Sequence, residues 1–464
     1  MRQFVFNTVL AVLCIGSVAF AQPNSPERDR ANDFIAKAQL LFGEGGNRYK
    51  VMEYYQLAAD LLPQDAVLNV EAGKWMLELG KSRDALVYLE RAYAVSPTAV
   101  SGMTVLVGRV YHLNGEFQKA ITWYGKFYQE WGHQLDVLND RRIKSIGEHL
   151  EQYIIECRRA EFLQTKVIPY TLTRLEGGVN SEFPDYGPII NGAGTALYFT
   201  SRRLDADHEH VNDVPHDVDG LPFEDIYVAR HTVNGWALDT EVTTKLNRYG
   251  HNSALAISPE GDQLFVYNEE NGGDIYVSNM NENKGIWARP KSYRWNTSAK
   301  EGSISFSAAG DMVVFSRRRM SGDMDLYYAL RRPNGEWTPE RVFGNDINTN
   351  KDEISPFLSA DGQTLYFSSD GWETVGGFDI FRSTYDPETR AWSRPQNLGF
   401  PLNTAQDDIH FSLTDDGRRA YIACNRADGL GHEDIYEVTL PTDGPNFNQI
   451  TLPNFLELLE KGEE

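Results

Sequence analysis

The sequence predicts a multidomain chain, α first and all-β afterwards, in which a helical array precedes a β-propeller of five four-stranded blades. Three observations predict this. First, an aspartate opens a short apolar strand five times, at Asp225, Asp274, Asp325, Asp379 and Asp434. The spacings of 49, 51, 54 and 55 residues lie close to the ~40–50-residue period of a propeller blade. Second, each aspartate follows a turn glycine and an apolar strand: Gly194 with Leu197-Tyr198-Phe199, Gly261 with Leu264-Phe265-Val266, Gly310 with Val313-Val314-Phe315, Gly362 with Leu365-Tyr366-Phe367, and Gly417 with Ala420-Tyr421-Ile422. Third, between about residues 30 and 163 the apolar period is helical rather than two.

Taken from the start, Met1-Arg2, an apolar run from Phe4 to Ala19 and the Ala19-Phe20-Ala21 site predict a secretory leader over 1–21. The run is too short for a bilayer span. Leu13 before Cys14 stands where a lipoprotein signal wants a small residue, so lipidation is not expected. The mature chain is then expected in the periplasm.

In the helical stretch, 30–163, Ala85, Leu89, Ala92 and Pro97 follow Gly73, and 35 residues on stand Gly108 and Ala120. Ala58 and Pro63 precede Ala92 and Pro97 by 34. These are the spacings of a TPR-like array of three repeats, in which small residues let paired helices approach. The amphipathic run Leu135 to Phe162 is expected to cap it.

The β-rich stretch, 164–445, supplies the propeller. Trp236, Trp287, Trp337 and Trp392 end four units, and Asn247, Asn296, Asn348 and Asn403 open the links between units. The fifth unit runs out after Ile435 to Leu440 with no tryptophan. An open sheet edge invites pairing with other chains, so Lys166 to Leu172 is expected to complete the last blade and close the ring. Pro169 then requires an outer-edge position. A six-bladed ring would need a degenerate unit that the sequence does not offer. Residues 446–464 read as a short amphipathic tail ending in acids.

The charge balance of −22 argues against nucleic acid or an anionic lipid surface as partner. Without the leader two cysteines remain, Cys157 and Cys424, read as buried free thiols rather than a bridge.

Candidate chemistry is sparse. The first unit has 31 residues between Gly194 and Asp225 where the others have 13 to 17. The excess carries His208, His210 and His216 among carboxylates, a set with zinc- or calcium-type ligands. No metal-site spacing accompanies it, so a solvated acidic loop is expected, and a place for partner contact. Arg202, Arg317 and Arg426 follow the apolar strand of three units. They are expected to pair with Asp225, Asp325 and Asp434; convergence on the central channel would instead make an anion site. No nucleophile elbow or phosphate loop is present, so neither enzymatic activity nor a cofactor is expected.

Ser258-Pro259-Glu260-Gly261 with Leu264-Phe265, and Ser359-Ala360-Asp361-Gly362 with Leu365 to Ser368, resemble the PD40 (WD40-like, TolB-type) propeller repeat over Glu182 to Val438. The order of helical array then propeller is similar to the front portion of PorE-type envelope proteins of the Bacteroidetes, associated with type IX secretion. Leu246-Asn247, Asn296-Thr297, Asn348-Thr349 and Leu402-Asn403-Thr404 resemble that family's inter-blade link, and Phe199 to Arg202 its strand-end motif. The family's OmpA-like domain and lipoprotein cysteine are missing, so wall anchoring and lipidation are not implied. The resemblance implies a periplasmic protein–protein scaffold whose partners are envelope proteins of an outer-membrane or secretion assembly. The alternative is a propeller that holds a small acidic or sugar ligand, or acts as a hydrolase or lyase, in its channel.

Overall fold

In the computed structural model the described residues are 25–44, 46–131, 141–204, 217, 219–243, 245–247, 250–269, 273–281, 283–430 and 432–455. The expected leader and the terminal acids lie outside them. The chain divides into two compact units, the first reaching Glu161 and taking in Asp217 and Asp219 to Leu221, the second beginning at Phe162.

The first unit is helical. Helices α1 (Pro26–Gly43), α2 (Arg48–Leu61), α3 (Ala66–Glu78), α4 (Ser82–Val95), α5 (Met103–Leu113) and α6 (Phe117–Trp131) pack as consecutive pairs, followed by α7 (Arg141–Thr165). Side chains cap three N-termini: Ser25 Oγ accepts from Arg28 N, Asn47 Oδ1 from Lys50 N, and Asp65 Oδ1 from Leu68 N. The small residues sit where the spacing put them. A Cβ on Gly73 would come within 2.7 Å of Leu89 Cγ, and one on Gly108 within 2.5 Å of Tyr124 Cε1. Ala58, Ala85, Ala92 and Ala120 are fully buried in the same seams. The start of the expected capping run, at Leu135, lies outside the described residues, and the buried stripe of the helix includes Leu150, Cys157 and Ala160. Beneath that stripe Arg109 lies over the Tyr153 ring, 3.7 Å from Glu156 and 3.0 Å from His112 Nδ1.

The second unit is a propeller of five antiparallel sheets. From the inner strand outward, blade 1 is Asp185–Ile190, Ala196–Ser201, Asp225–Thr232 and Gly235–Leu238. Blade 2 is Asn252–Ile257, Gln263–Asn268 and Asp274–Asn281, with Ile286–Trp287 and Lys291–Ser292 sharing the outer edge. Blade 3 is Glu301–Phe306, Met312–Arg318, Met324–Leu330 and Arg341–Val342. Blade 4 is Glu353–Leu358, Thr364–Ser369 and Asp379–Asp386, edged by Ala391–Trp392 and Gln396–Asn397. Blade 5 is Asp408–Leu413, Arg419–Cys424 and Asp434–Thr439, and its outer strand is Thr171–Arg174 from before blade 1. The ring is thus closed by the segment expected to close it, displaced so that Pro169 stays outside the strand. Thr171 faces Thr439 and Arg174 faces Tyr436. Asp185 N also donates to Glu433 O at 2.8 Å, joining blade 5 to blade 1.

The apolar second strands explain why no sheet stands alone. Leu197 and Phe199 share a core with Tyr421 and Ile435 of blade 5, while Ala196 and Tyr198 face Leu264 and Val266 of blade 2. The same two-sided burial continues between blades 2 and 3, 3 and 4, and 4 and 5. Alternate side chains point to opposite faces, so a strand apolar at every position requires a neighbour on each side. The chain after Thr439 is no loose tail at first. Phe447, Ile450 and Leu452 are buried in the blade 4–5 core, and Arg382 donates to the carbonyls of Phe447 and Ile450 at 2.8 and 3.0 Å.

Candidate functional site

All five inner strands begin at one end of the ring, where the links between blades arrive. Four links share a pattern: Asn, then Ser or Thr, then a carboxylate five residues after the Asn. These are Asn180-Ser181 with Asp185, Asn296-Thr297 with Glu301, Asn348-Thr349 with Glu353, and Asn403-Thr404 with Asp408. Asn247 precedes Asn252 by the same interval. The Asn side chain grips the residue that follows the aspartate opening the third strand. Asn403 Oδ1 accepts from Ile380 N at 3.0 Å and its Nδ2 donates to Ile380 O at 2.9 Å. Asn348 does this to Leu326, Asn247 to Ile226 and Asn180 to Ile435. The hydroxyl residue then donates N–H and O–H to the carboxylate: Thr349 to Glu353 at 2.9 and 2.7 Å, Thr404 to Asp408 at 2.6 and 2.9 Å.

Asp185, Glu301, Glu353 and Asp408 are therefore fully buried yet hydrogen-bonded. Burial pushes Glu353 up to about 7 against the pull of Thr349 and Ser369. Burial likewise raises Asp408 to about 6, opposed chiefly by Arg426, and raises Asp185, opposed by Arg203.

The three sequence-predicted arginines do not converge on the channel. Arg202 Nε donates to Pro222 O at 2.8 Å. Arg317 Nε donates to Glu301 Oε1 at 2.7 Å, with Glu340 at 3.5 Å. Arg426 donates to the carbonyls of Pro401 and Leu402 and lies 3.3 Å from Asp408. The expected partners were the aspartates opening the third strand; Arg317 and Arg426 instead lie against Glu301 and Asp408. Antiparallel register sets Arg317 opposite both Glu301 and Asp325, and Cys424 opposite both Asp408 and Asp434; the guanidinium groups of Arg317 and Arg426 turn to the carboxylate that opens the inner strand. The third-strand aspartates take other donors: Asp379 accepts from Val375 N and Asn397 Nδ2, and Asp434 from Leu430 N. An arginine–aspartate pair of the expected kind forms with Arg319, 3.2 Å from Asp325.

His208, His210 and His216 lie outside the described residues. Among the described residues no group of three or more His, Cys, Asp or Glu is placed to hold a metal ion, and no helix is long and apolar enough to cross a membrane. Cys157 and Cys424 are buried and free. Burial drives the Cys424 thiol up to about 12, and it accepts a hydrogen bond from Arg426 Nε at 2.9 Å.

A second polar set lines the channel, and sequence reading did not find it. Each inner strand slips register just after its first residues, the signature of a bulge that re-aims side chains. Two residues past the strand start stand Gly187, Ala254, Ser303, Ser355 and His410 in blades 1 to 5. Gly187, Ser355 and His410 have φ of 62°, 51° and 60°. Ser303 Oγ lies 2.8 Å from Ser316 Oγ and accepts from Ser355 N at 3.0 Å. Ser355 Oγ is 3.0 Å from His410 Nδ1, and the Tyr186 ring stacks on the imidazole. Tyr186 Oη donates to Glu224 at 2.9 Å, and His251 contacts the same carboxylate. Crowding by the channel wall holds His410 down to about 4, with Glu433 pulling the other way.

No protein-family model matches the sequence, and no curated protein matches it either. Among solved structures the chain is similar to a protein assigned as TolB from Agrobacterium tumefaciens (14% identity, 56% of this chain and 80% of that one, TM-score 0.32). It is also similar to TolB from Acinetobacter baumannii (15%, 58% and 67%, 0.30). A third similar structure is the α-L-arabinofuranosidase PaAbf62A from Podospora anserina (9%, 59% and 96%, 0.37). None of these three reaches a TM-score of 0.5, so blade count and closure rest on this chain's own strand pairing.

Proposed function

We propose that the protein is a non-enzymatic protein–protein scaffold of the periplasm, working in a cell-envelope assembly of the type IX secretion kind. The observation behind this reading is the fate of the strand-end arginines. Arg317 and Arg426 are engaged by buried carboxylates and Arg202 by a carbonyl, so these three arginines serve the blade framework rather than a cationic mouth for an acidic substrate. A helical array of paired helices and a propeller end bearing long loops each offer extended surface to protein partners. The envelope and secretion parts rest on the leader-like N-terminus and on the resemblance of the Asn-Thr links to the PorE-type family.

The test is site-specific photocrosslinking in the native envelope, with the reactive residue at exposed Val87 on α4 and at exposed Met320 at the link-bearing end of blade 3. Discrete adducts to envelope proteins are expected from both positions. Recovery of the uncrosslinked chain alone, at ambient expression, would contradict the scaffold reading.

A further inference from the structure

We infer that the channel wall running from blade 3 through blades 4 and 5 to blade 1 is a binding site for a neutral polyhydroxylated ligand, a saccharide, seated against Ser303, Ser355, His410 and Tyr186. This goes beyond the scaffold reading and does not depend on it.

Backbone strain is the first ground. Among the described residues Ser355, Arg390 and His410 are the non-glycine positions with positive φ. Arg390 lies in an exposed turn, whereas the other two occupy equivalent bulge positions on neighbouring inner strands. Such conformations cost on the order of 1–3 kcal/mol for a side-chain-bearing residue and concentrate at ligand clamps. Blade 1 shows what the fold alone asks for there, a glycine at φ 62°. A hydroxyl and an imidazole at the corresponding places are costlier than the fold requires.

The second ground is preorganisation across blades. Ser316, Ser303, Ser355 and His410 form a continuous hydrogen-bonded arc, and Tyr186 stacks on its end with ring centroids 5.9 Å apart. Three inner strands thus fix one imidazole. Its Nδ1 is taken by Ser355, which leaves Nε2 as the nitrogen for a ligand. Nε2 then presents the role, donor or acceptor, opposite to the one Nδ1 takes toward Ser355, and the Ser303 and Ser355 hydroxyls each keep at least one further hydrogen-bonding position beyond the arc.

The third ground is charge. An anion finds Glu224 and Glu433 beside the arc, while the nearby arginines are held by carboxylates and carbonyls. A cation finds those glutamates already engaged, Glu224 by Tyr186 and His251 and Glu433 by His432 at 3.2 Å. Hydroxyls, which donate and accept without net charge, match what remains. A small number of convergent polar groups on a concave wall is the usual composition of such a site.

The experiment uses the full mature chain with maltotriose, xylotriose and triacetylchitotriose as probes, and trigalacturonate and trilysine as charged comparisons. Binding is followed by calorimetry and by the His410 Hε1 resonance, assigned by its loss in His410→Asn. At least one neutral trisaccharide should shift that resonance saturably. Ser355→Gly, which keeps the backbone conformation and removes the hydroxyl, should weaken binding about tenfold with the thermal midpoint retained. Three results would overturn the inference: no neutral trisaccharide shifts the resonance; Ser355→Gly and His410→Asn bind as the parent does; or only trigalacturonate or trilysine binds, which makes the ligand class wrong.

Discussion

Asn403 makes three hydrogen bonds from a fully buried position, two of them to the main chain of Ile380 and one to Asn397. Removing one partner of a buried pair costs about 1–3 kcal/mol for each group left unsatisfied. Asn403→Ala should therefore lower stability by roughly 2–4 kcal/mol in urea titrations. Glu353 makes a prediction with a sign. Its folded pKa of about 7 exceeds the ordinary value of 4.5, so the folded state holds its proton more tightly than the unfolded chain. That contribution is present below pH ~4.5 and is lost as pH rises toward 7, by roughly 3 kcal/mol in all. Asp408 acts in the same sense toward pH ~6. His410 opposes them: its depressed pKa of about 4 contributes stability that is fully present above ~6.5 and lost as pH falls through 4. Comparing the parent with Glu353→Gln from pH 4.5 to 8 isolates the first effect, and the variant should show the flatter curve. Much of this residue-scale chemistry was written in the chain yet passed over. Asn180-Ser181 with Asp185 has the spacing of the recognised links, but it precedes the first glycine landmark and so escaped the count. The Ser355–His410 contact had no local mark. It depends on a bulge in each of two strands 55 residues apart, and neither a bulge nor a positive φ leaves a pattern where the residue is not glycine.

Among the elements, the closing strand is the most informative. A strand of β-branched and aromatic character was legible at Lys166 to Leu172, and the need to cover an edge said where it should go. Its register was not legible, because Thr171–Arg174 is selected by pairing with Asp434–Thr439 and by Tyr170 and Leu172 packing on the blade 4–5 core. The double variant Thr171→Pro, Thr173→Pro removes two backbone donors from this strand. It should expose the edge of Asp434–Thr439 and produce stronger concentration-dependent self-association in sedimentation velocity than the parent shows. Helix pairing was legible for the complementary reason: Gly73 and Gly108 mark close approach directly, since each lies under a large side chain one helix on. Arginine partners were misread at this scale. Antiparallel pairing sets Arg317 opposite both Asp325 and Glu301, and its side chain takes Glu301, 16 residues back, a choice of side that strand pattern alone does not encode.

For the molecule as a whole, the propeller is held by cores that belong to neighbouring blades jointly. Phe367 is fully buried between blades 3 and 4 together with Val314, Leu326 and Phe381. Phe367→Ala should cost about 3–5 kcal/mol, and the loss should appear in the single cooperative transition of the propeller rather than as local opening of one blade. Closure is what makes those shared cores continuous, and amide hydrogen exchange of the intact protein tests it most directly. If Thr171–Arg174 and Asn180 are integral to blade 5, the amides of Thr173 and Leu175, which face Asp434–Thr439, will exchange as slowly as those of Tyr436 and Val438, by global unfolding alone. Rapid exchange of Thr173 and Leu175, at the rate of a linker while Tyr436 and Val438 stay protected, would show an open ring and contradict the fold on which everything above is built.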